Sequence, residues 1–377
     1  MINIDDTTKE IDKFLDSRYV ISHSSSTVRV YQLGINHFTK FVEKQYNCSL
    51  KEIIESIKNK SVDQYDILKE YVVYLDKQGK KPRTIKLMIT AVKGFLRHCK
   101  IQIYSEEFQS RVRLPKNVRY REEPLTKEII LRLLNIVSPK LRTAILVAVA
   151  SGMRIGEIIQ LKPSDIDLAS NPPRIRIRAE TTKTREDRET FLTQEATRAL
   201  KDYLTKFFGW KDTESNSQLQ NVVIFGRTSR PFQVDFDNSV PLQSRESLLI
   251  NSMRQYVNKV PELAKQNENG QRMIHFHAFR KFFYTALSNV VGSNYAHALM
   301  GHHEYLDTYY NLPDEKKREL YLKAEPDLTI SDFAKIEKDL ISVKKKQEEI
   351  EESHIELIRL MKQDHVTFPK ALEKYLK

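Results

Sequence analysis

The sequence predicts a mainly α-helical fold with a small β-sheet or hairpin, divided into two domains and followed by a C-terminal coiled-coil helix. Apolar residues recur at spacings of three and four along most of the chain, which is the period of an α-helix. Only 10 of the 377 residues are Gly and 13 are Pro, so the helices are rarely interrupted. One short segment alternates strictly between basic and apolar residues, as a β-strand does. The length is sufficient for two or three domains.

The first domain is predicted over residues 20–105 as an all-helical unit that follows an N-terminal arm, residues 1–19. Two of its helices are indicated by apolar residues on one face: Val28, Tyr31, Ile35, Phe38 and Phe41 in the first, and Tyr65, Leu68, Val72 and Leu75 in the second. A third helix, from Pro82 to Cys99, has two distinct faces. Its apolar face is formed by Ile85, Met88, Val92, Phe95 and Cys99, and its polar face by Lys86, Thr90, Lys93 and Arg97.

Basic charge is concentrated at the end of this domain and just beyond it. The whole chain has a formal net charge of +12, and residues 77–120 alone hold twelve basic and two acidic residues. A basic stripe of this density favours a polyanionic partner, most often nucleic acid, although a solvated basic surface is the open alternative. Residues 106–124 are polar, basic and aperiodic, which predicts a basic linker that lies along the polyanion.

The second domain is predicted over residues 125–325. Thr126 is expected to cap its first helix, and a bend is expected at Ser151-Gly152. A β-hairpin is predicted from the alternating segment Arg174–Arg178 and the later segment Glu189–Leu192, with polar residues between them. The helices of this domain are predicted over Ile129–Val137, Arg142–Ala150, Arg154 to Leu161, Gln194–Phe208 and most of Leu248–Tyr310.

The tail, residues 326–377, has a different pattern. Apolar residues alternate in steps of three and four over four heptads, which is typical of a coiled-coil seam. Two polar residues interrupt the seam, and a long surface helix folded back on its own domain is the alternative. The seam residues are Phe333, Ile336, Leu340, Val343, Gln347, Ile350, His354, Leu357 and Met361.

Several functional classes are disfavoured by what the sequence lacks. The longest apolar run, Ala144–Ala150, is far shorter than the roughly 20 residues of a membrane span, and the acidic, polar start predicts no secretory signal. Two cysteines, Cys48 and Cys99, do not form a disulfide framework, which favours a reducing, cytoplasmic compartment. No GxGxxG, P-loop or HExxH motif occurs. We therefore expect no nucleotide, metal or other cofactor.

Five short segments of the second domain carry groups that suit phosphoryl transfer. Each group alone has an ordinary structural explanation, such as a cation at a helix start, a charge at a hairpin tip or an aromatic residue of the core. Together, however, arginines, histidines, a lysine and a tyrosine can bind a phosphate and attack it. The segments are SGMRIGEI with Arg154, TTKTRED with Lys183, HAFR with His277 and Arg280, MGHH with His302, and LDTYYNL with Tyr309 and Tyr310.

The order of these motifs resembles that of the tyrosine recombinase, or phage-type integrase, family. The family pattern is an arginine in an R-x-G-E turn, a lysine on a β-hairpin, H-x-x-R, G-H and a nucleophilic tyrosine, and each motif has a counterpart here. The resemblance spans about residues 20–325, because the upstream helical domain is similar to the family's core-binding domain. The endings D-T-Y-Y and Y-L-K-A look most like those of archaeal virus and plasmid integrases.

The spacing before the tyrosine departs from the family pattern. The G-H histidine usually precedes the nucleophile by about nine residues, whereas Tyr310 follows His302 by eight and Tyr309 follows it by seven. Alignment on the D-T-Y-Y end favours Tyr310 as the nucleophile and leaves Tyr309 as the alternative. Tyr305 is too near His302. The tail lies outside the core that the family shares.

The resemblance implies which residues bind the attacked phosphate. Arg154 and Arg280 would contact its non-bridging oxygens, because planar guanidinium groups match that geometry. His277 and His302 would add hydrogen bonds, with His277 also assisting deprotonation of the tyrosine. Glu157 would support the site by orienting Arg154.

The resemblance also implies the reaction. Tyr310 would attack phosphorus and form a covalent 3′-phosphotyrosine, while Lys183 protonates the 5′-oxygen that leaves. A second 5′-hydroxyl can reverse this step, so the implied function is site-specific recombination that integrates or excises a mobile element. The alternatives are a type IB topoisomerase-like enzyme, which shares this chemistry, and a catalytically inactive DNA-binding regulator.

The implied partner is double-stranded DNA at attachment sites, in the nucleoid. The two domains would form a clamp around the duplex, and the active assembly would be a homotetramer. Self-association through the coiled coil over residues 333–361 is a further expected contact. The basic segment supplies the expected contacts to the DNA backbone. The predicted DNA-binding residues are Arg83, Lys86, Thr90, Lys93, Arg97, Arg111, Arg113, Lys116 and Arg119.

Overall fold

The structure is a computed structural model that describes residues 4–118, 123–211, 219–226, 241–266, 270–302 and 312–331, together with 347, 350–355 and 358. The chain divides into two compact units, Met1–Arg119 and Tyr120–Lys377, each with its own hydrophobic core. The described residues are mainly helical with one small antiparallel sheet, which confirms the predicted fold class at this level. None of the described helices is long and apolar enough to cross a membrane.

The described part of the first unit consists of α-helices joined by turns and short extended segments. Side chains at three N-caps accept hydrogen bonds from the backbone, Ser24 from Thr27 N, Ser49 from Glu52 N and Asp63 from Tyr65 N and Asp66 N, which satisfies donors that a helix start leaves free. The helices are α1 (Ile4–Ser22), α2 (Ser25–Tyr46), α3 (Leu50–Lys58), α4 (Gln64–Lys77), α5 (Pro82–His98) and α6 (Ser105–Arg111).

The core of the first unit is built around the contact between α2 and α5. Gly34 permits the close approach, because a Cβ atom there would lie 2.6 Å from the Cβ of Ala91. The predicted apolar face of α5 packs inward, with Ile85, Val92 and Phe95 fully buried. Lys86 on the opposite face is exposed, so the two-faced pattern of this helix is confirmed.

The first unit extends beyond its predicted limits at both ends. The predicted arm, residues 1–19, is instead mostly helix α1, whose Phe14 is fully buried against Phe95 with the ring centroids 5.6 Å apart. Part of the predicted linker forms α6, and its Phe108 is also buried. In α1 the buried Leu15 and the partly buried Ile11 join Phe14 against the core, so the sequence does carry a short helical pattern there. In α6 only Phe108 is buried, and a single apolar residue gives no periodicity for a sequence pattern to reveal.

The second unit combines helices with a three-stranded antiparallel sheet in the order β1-β2-β3. Its strands are β1 (Ile166–Asp167), β2 (Arg174–Ile177) and β3 (Arg188–Phe191). The register pairs Arg174 with Phe191 and Ile177 with Arg188, so the predicted hairpin is confirmed with shifted ends. Strand β1 was not predicted, because two residues are too few for a visible alternation.

The helices of the second unit surround one buried helix, α8, in which every residue from Thr143 to Ser151 is buried. Thr126 caps α7 as predicted, accepting from Ile129 N. The predicted helix from Arg154 to Leu161 is only one turn, α9, because the chain turns away after Ile158. The helices are α7 (Lys127–Leu134), α8 (Pro139–Ser151), α9 (Ile155–Ile158), α10 (Gln194–Phe208), α11 (Leu242–Asn258), α12 (Phe276–Val291), α13 (Ser293–Met300) and α14 (Asp314–Leu328).

Most of the predicted coiled coil lies outside the described residues. Residues 350–355 are helical, and the exposed apolar residues Ile350 and Ile355 lie there. The coiled-coil seam therefore stays a prediction.

We predict that α1 is an integral part of the first core. Replacing Phe14 by Ala should lower the free energy of unfolding by about 3–5 kcal/mol, since it removes a fully buried ring. Tyr19→Ala, in the same helix but at a residue 50% exposed, should change it by less than about 0.5 kcal/mol. Urea unfolding measures both. If Phe14→Ala changed the free energy of unfolding as little as Tyr19→Ala, α1 would be a detached arm and the prediction would be wrong.

Candidate active site

The turn between α8 and α9 sets the position of Arg154. Gly152 ends α8 with φ of +63°, and a Cβ atom there would lie 2.3 Å from the Phe283 ring, so this position requires glycine. The backbone then enters α9 with Arg154 at the N-cap. The Arg154 backbone N–H donates to Oε2 of Glu157 at 2.7 Å, which is the return half of a capping box.

Glu157 lies at the centre of a cluster of charged groups. Its carboxylate is almost fully buried and accepts from Nη1 of Arg154 at 3.1 Å and, in bidentate geometry, from Nη1 and Nη2 of Arg188 at 3.0 and 2.7 Å. Burial by itself would raise the pKa of Glu157, but the hydrogen bonds and charge of Arg188 hold it below its ordinary value. Glu157 is therefore ionised and fixes both guanidinium groups.

Arg188 is a site residue that the sequence analysis missed. It is the first residue of β3, it is buried, and its Nε donates to the Leu299 carbonyl at 3.0 Å. The pairing of the predicted hairpin could have indicated Arg188, because this arginine lies directly opposite Ile177, whose side chain faces inward. A basic residue on the inner face of a sheet requires an acidic partner, and Glu157 is that partner.

Arg280 connects the ends of two helices. It is 1% exposed, and its guanidinium donates from Nη1 to the Gly152 carbonyl at 2.5 Å and from Nη2 to the Met300 carbonyl at 2.6 Å. Burial, and then the charge of Arg154, lower the pKa of Arg280. The pKa falls only to about 9, so the group stays charged at neutral pH.

His302 follows the end of α13 in a Schellman motif. The His302 N–H donates to the His297 carbonyl and the Gly301 N–H to the Ala298 carbonyl, with Gly301 at φ of +66°. Burial, followed by the charges of Arg280 and other neighbours, lowers the pKa of His302 to about 4. Its imidazole is therefore neutral at neutral pH.

The last four carbonyl groups of α13 are all satisfied by this arrangement. The two backbone donors of the Schellman motif serve His297 and Ala298, whereas Arg188 serves Leu299 and Arg280 serves Met300. Positive side chains are favourable at a helix C-terminus. The same contacts hold Arg280, His302 and the Glu157 cluster in one connected site.

Two other predicted residues lie at more open positions. His277 is the second residue of α12, three residues before Arg280, and its side chain is exposed; Lys183 is exposed in the loop between β2 and β3. The Thr182 hydroxyl fixes the base of this loop through the Ala179 and Glu186 carbonyls. Tyr309, Tyr310 and Tyr305 lie outside the described residues.

The predicted DNA-binding residues fall into two groups in the first unit. Arg83, Lys86, Thr90, Arg97, Arg113 and Lys116 are exposed, and Arg119 lies outside the described residues. Two others differ from the prediction. Lys93 lies over the Phe108 ring at 3.6 Å, and Arg111 is bound within 3.2 Å by Asp63, Asp66 and Glu107. Both therefore hold α6 in place instead of presenting free positive charge.

Comparisons with known proteins agree with this arrangement of motifs. Residues 123–312, half of the chain, match the sequence profile of the Phage integrase family, and the chain therefore belongs to that family.

No group of three or more His, Cys, Asp and Glu residues that could hold a metal ion occurs in the described part of the chain.

Two curated relatives and one solved structure extend the comparison. The chain is similar to tyrosine recombinase XerC of Chlamydia caviae, 30% identical over 209 residues, which are 51% of this chain and 65% of that protein. It is also similar to tyrosine recombinase XerA of Saccharolobus solfataricus, 26% identical over 193 residues, 51% of this chain and 62% of that protein. The chain thus spans less than two thirds of either relative. A crystal structure of a lambda integrase(75–356) dimer bound to a COC′ core site has the same fold, with a TM-score of 0.52 and 14% identity over 81% of this chain and 98% of that one.

We predict that the ion pair between Glu157 and Arg188 is essential for stability. Arg188→Met should lower the free energy of unfolding by about 3–5 kcal/mol, because it leaves Glu157 buried with reduced compensation. The matched control is Arg176→Met on β2, where the Arg176–Asp187 pair is exposed and removal should cost about 1 kcal/mol or less. Urea unfolding at pH 7 measures the difference. Similar losses in both variants would contradict the central role of the buried pair.

We also predict that His302 makes stability depend on pH between about 6.5 and about 4. The pKa of His302 is lower in the folded chain than in the unfolded chain, so the unfolded chain binds the proton first. Its contribution is complete above pH 6.5 and is lost as the pH falls to 4. His302→Gln should flatten the dependence of the free energy of unfolding on pH in this window. An unchanged slope would show that another group is responsible.

Proposed function

We propose that this chain is a tyrosine-type site-specific DNA recombinase that cleaves and rejoins DNA through a covalent 3′-phosphotyrosine. The observation that carries the proposal is the excess of positive charge in the buried site. Among the described residues, Glu157 pairs with the guanidinium groups of Arg154 and Arg188, while the neighbouring guanidinium of Arg280 donates to backbone carbonyls and has no carboxylate partner of its own. Such an excess suits a bound anion, and a phosphodiester that gains negative charge during attack suits it best.

The arginines differ in what they have left to offer a phosphate. Arg154 is 31% exposed and gives one hydrogen bond from its side chain to Glu157, so most of its five donors can reach a ligand. Arg280 gives two donors to backbone carbonyls and retains three. We assign both to the non-bridging oxygens, with Glu157 and Arg188 as their support.

The remaining catalytic roles follow the matched motifs. Tyr310 attacks phosphorus: an Oη–P bond forms and the bond from phosphorus to the 5′-oxygen breaks. The tyrosine proton is removed with the assistance of His277, and Lys183 supplies the proton that the 5′-oxygen needs. His302 donates a hydrogen bond to the phosphate. A 5′-hydroxyl of another strand then attacks the phosphotyrosine and releases the enzyme.

The bond energy of the cleaved phosphodiester is retained in the phosphotyrosine, and strand exchange therefore needs no nucleotide. Attack by the second 5′-hydroxyl is the reverse of the first step, with one phosphate ester replacing another. The same residues therefore serve cleavage and rejoining. No described residue is required to bind an energy-supplying cofactor in this scheme.

We propose that the first unit grips DNA through its exposed basic residues and acts with the second as a clamp on the duplex. The contacts are with backbone phosphates and should weaken as salt rises. They exclude Arg111 and Lys93, whose charges are engaged within the unit. The residues assigned to this grip are Arg83, Lys86, Thr90, Arg97, Arg113 and Lys116, with Arg119 added from the sequence alone.

We further propose a biological setting for the enzyme. The D-T-Y-Y and Y-L-K-A endings favour an integrase of an archaeal virus or plasmid, which acts on attachment sites in the nucleoid of its host. Four copies would assemble on two such sites, and the heptads over residues 333–361 would join them through a coiled coil.

We expect Tyr310→Phe to abolish the covalent adduct on a nicked suicide duplex that carries the element's attachment sequence, because the attacking oxygen is removed. Tyr309→Phe is the matched control and should retain the adduct. The adduct is measured on a denaturing gel. Loss only in Tyr309→Phe would move the nucleophile by one residue. If the wild-type chain formed no adduct on any attachment sequence, the catalytic proposal would be wrong and a DNA-binding regulator would replace it.

A further inference from the structure

A chain of hydrogen bonds extends from His302 away from the arginines. Nδ1 of His302 lies 2.6 Å from Nδ1 of His297, and Nε2 of His297 lies 3.2 Å from the hydroxyl of Tyr284. The His297 ring lies between the other two, with its centroid 4.8 Å from that of Tyr284 and 4.8 Å from that of His302. Neither His297 nor Tyr284 belongs to the motifs that the sequence analysis singled out.

Local backbone structure brings the two histidines together. In the Schellman motif at the end of α13, His297 is the C3 residue and His302 is the C″ residue, and these two side chains are commonly in apolar contact. Here both are imidazoles, so the packing contact is also a hydrogen bond. Tyr284 reaches the pair from α12, one turn after Arg280.

The distance between the histidines fixes how many protons they share. Two bare nitrogens at 2.6 Å would oppose their lone pairs, and two N–H groups would clash, so one proton lies between them. In the first arrangement His297 donates to His302, His302 carries its proton on Nε2, and the Tyr284 hydroxyl donates to His297. In the second arrangement, His302 donates from Nδ1 to His297, and His297 donates from Nε2 to the Tyr284 oxygen. Nε2 of His302 then carries no proton.

A bound phosphate requires the first arrangement. A phosphate oxygen accepts hydrogen bonds, and a bare Nε2 would set its lone pair against that oxygen. The tautomer matters because the ring is neutral. Burial, followed by the charges of Arg280, Arg154 and Arg188, lowers the pKa of His302 and disfavours an imidazolium, which would have protons on both nitrogens. A neutral His302 must be held in the correct form by its partner.

We propose that Tyr284 and His297 are positioning residues that hold His302 as the Nε2–H tautomer, so that it donates to the phosphate. This inference rests on the proposed function for the role of His302. It adds the hydrogen-bond chain from Tyr284 through His297 to His302, which we call the relay. Tyr284 has a specific part, because its hydroxyl satisfies Nε2 of His297 and thereby keeps the His297 proton on Nδ1, facing His302.

The direct test is the tautomer of His302 in the full chain. The protein is labelled with ¹⁵N-histidine, and two-bond ¹H–¹⁵N correlations at neutral pH distinguish the Nε2–H from the Nδ1–H form; the His302 signals are those that vanish in His302→Gln. We expect the Nε2–H form alone in the wild-type chain, and a mixture of both forms in His297→Leu and in Tyr284→Phe. An Nδ1–H form in the wild type would overturn the proposal.

The second test is the rate of adduct formation on the suicide duplex under single-turnover conditions. His297→Leu should lower the rate by about 10-fold to 100-fold, the effect typical of removing the hydrogen-bond partner that fixes the tautomer of a metal-binding histidine. Tyr284→Phe should lower the rate by about threefold to tenfold, because it removes one neutral hydrogen bond. His297→Gln should restore it to within about threefold of wild type, because the glutamine amide can donate to Nδ1 of His302.

A matched control separates the relay from general damage to the packing. Tyr295→Phe removes a hydroxyl on the same helix as His297, one that donates to the Lys317 carbonyl at 2.5 Å and lies outside the relay. It should leave the His302 tautomer and the rate unchanged, even if it lowers the melting temperature. A rate loss in Tyr295→Phe equal to that in Tyr284→Phe would assign the effect to packing and overturn the relay.

The outcomes also separate the relay from the proposed function. If the wild-type chain forms the adduct while Tyr284→Phe and His297→Leu match it in rate and tautomer, only the relay is wrong. If the wild-type chain forms no adduct, the proposed function is wrong, and the wild-type tautomer still decides whether the hydrogen-bond chain exists. The same measurement decides the matter if a variant does not fold.

Discussion

Two helices of the second unit end in places that water does not reach, and their last carbonyl groups must find donors within the protein. At the end of α8, the carbonyls of Ala150, Ser151 and Gly152 accept from Tyr321, Thr190 and Arg280. At the end of α13, the carbonyls of Leu299 and Met300 accept from Arg188 and Arg280. An unsatisfied buried carbonyl is costly, so these donors fix how α12, α14, β3 and the two helix ends are arranged. The arginines that would bind a phosphate are held in position by this requirement.

The same requirement explains the charge of the site. Arg188 and Arg280 are placed where helix ends need positive donors, and only one carboxylate, Glu157, lies among the three arginines of the described site. Glu157 orders Arg154 and Arg188 but does not neutralise the cluster. The contacts that satisfy the backbone therefore also leave an excess of positive charge among the described residues of this site.

Much of the fold could be predicted because its elements repeat a period. The two faces of α5 and the pairing of β2 with β3 follow from residues at fixed spacings. The packing of α6 through Phe108 could not be predicted, because one buried ring leaves no pattern. The packing of α1 was missed although Ile11, Phe14 and Leu15 lie at helical spacing, because the segment is short and polar on its other sides. The engagement of Arg111 by Asp63 and Asp66 was equally hidden, since these residues are far apart in the chain and meet only when α4 and α6 pack.

The sequence by itself determined the class of protein and the identity of the candidate residues. Short motifs such as R-I-G-E, H-A-F-R and M-G-H-H consist of adjacent residues, so they can be recognised without knowing the fold. Only the tertiary structure decided which groups support them: Arg188 opposite Ile177, the carbonyls that bind Arg280, and His297 and Tyr284 behind His302. These contacts join β3, α12 and α13, which are separated along the chain. Their geometry depends on how buried helix ends are satisfied, and that is a property of the packed unit as a whole.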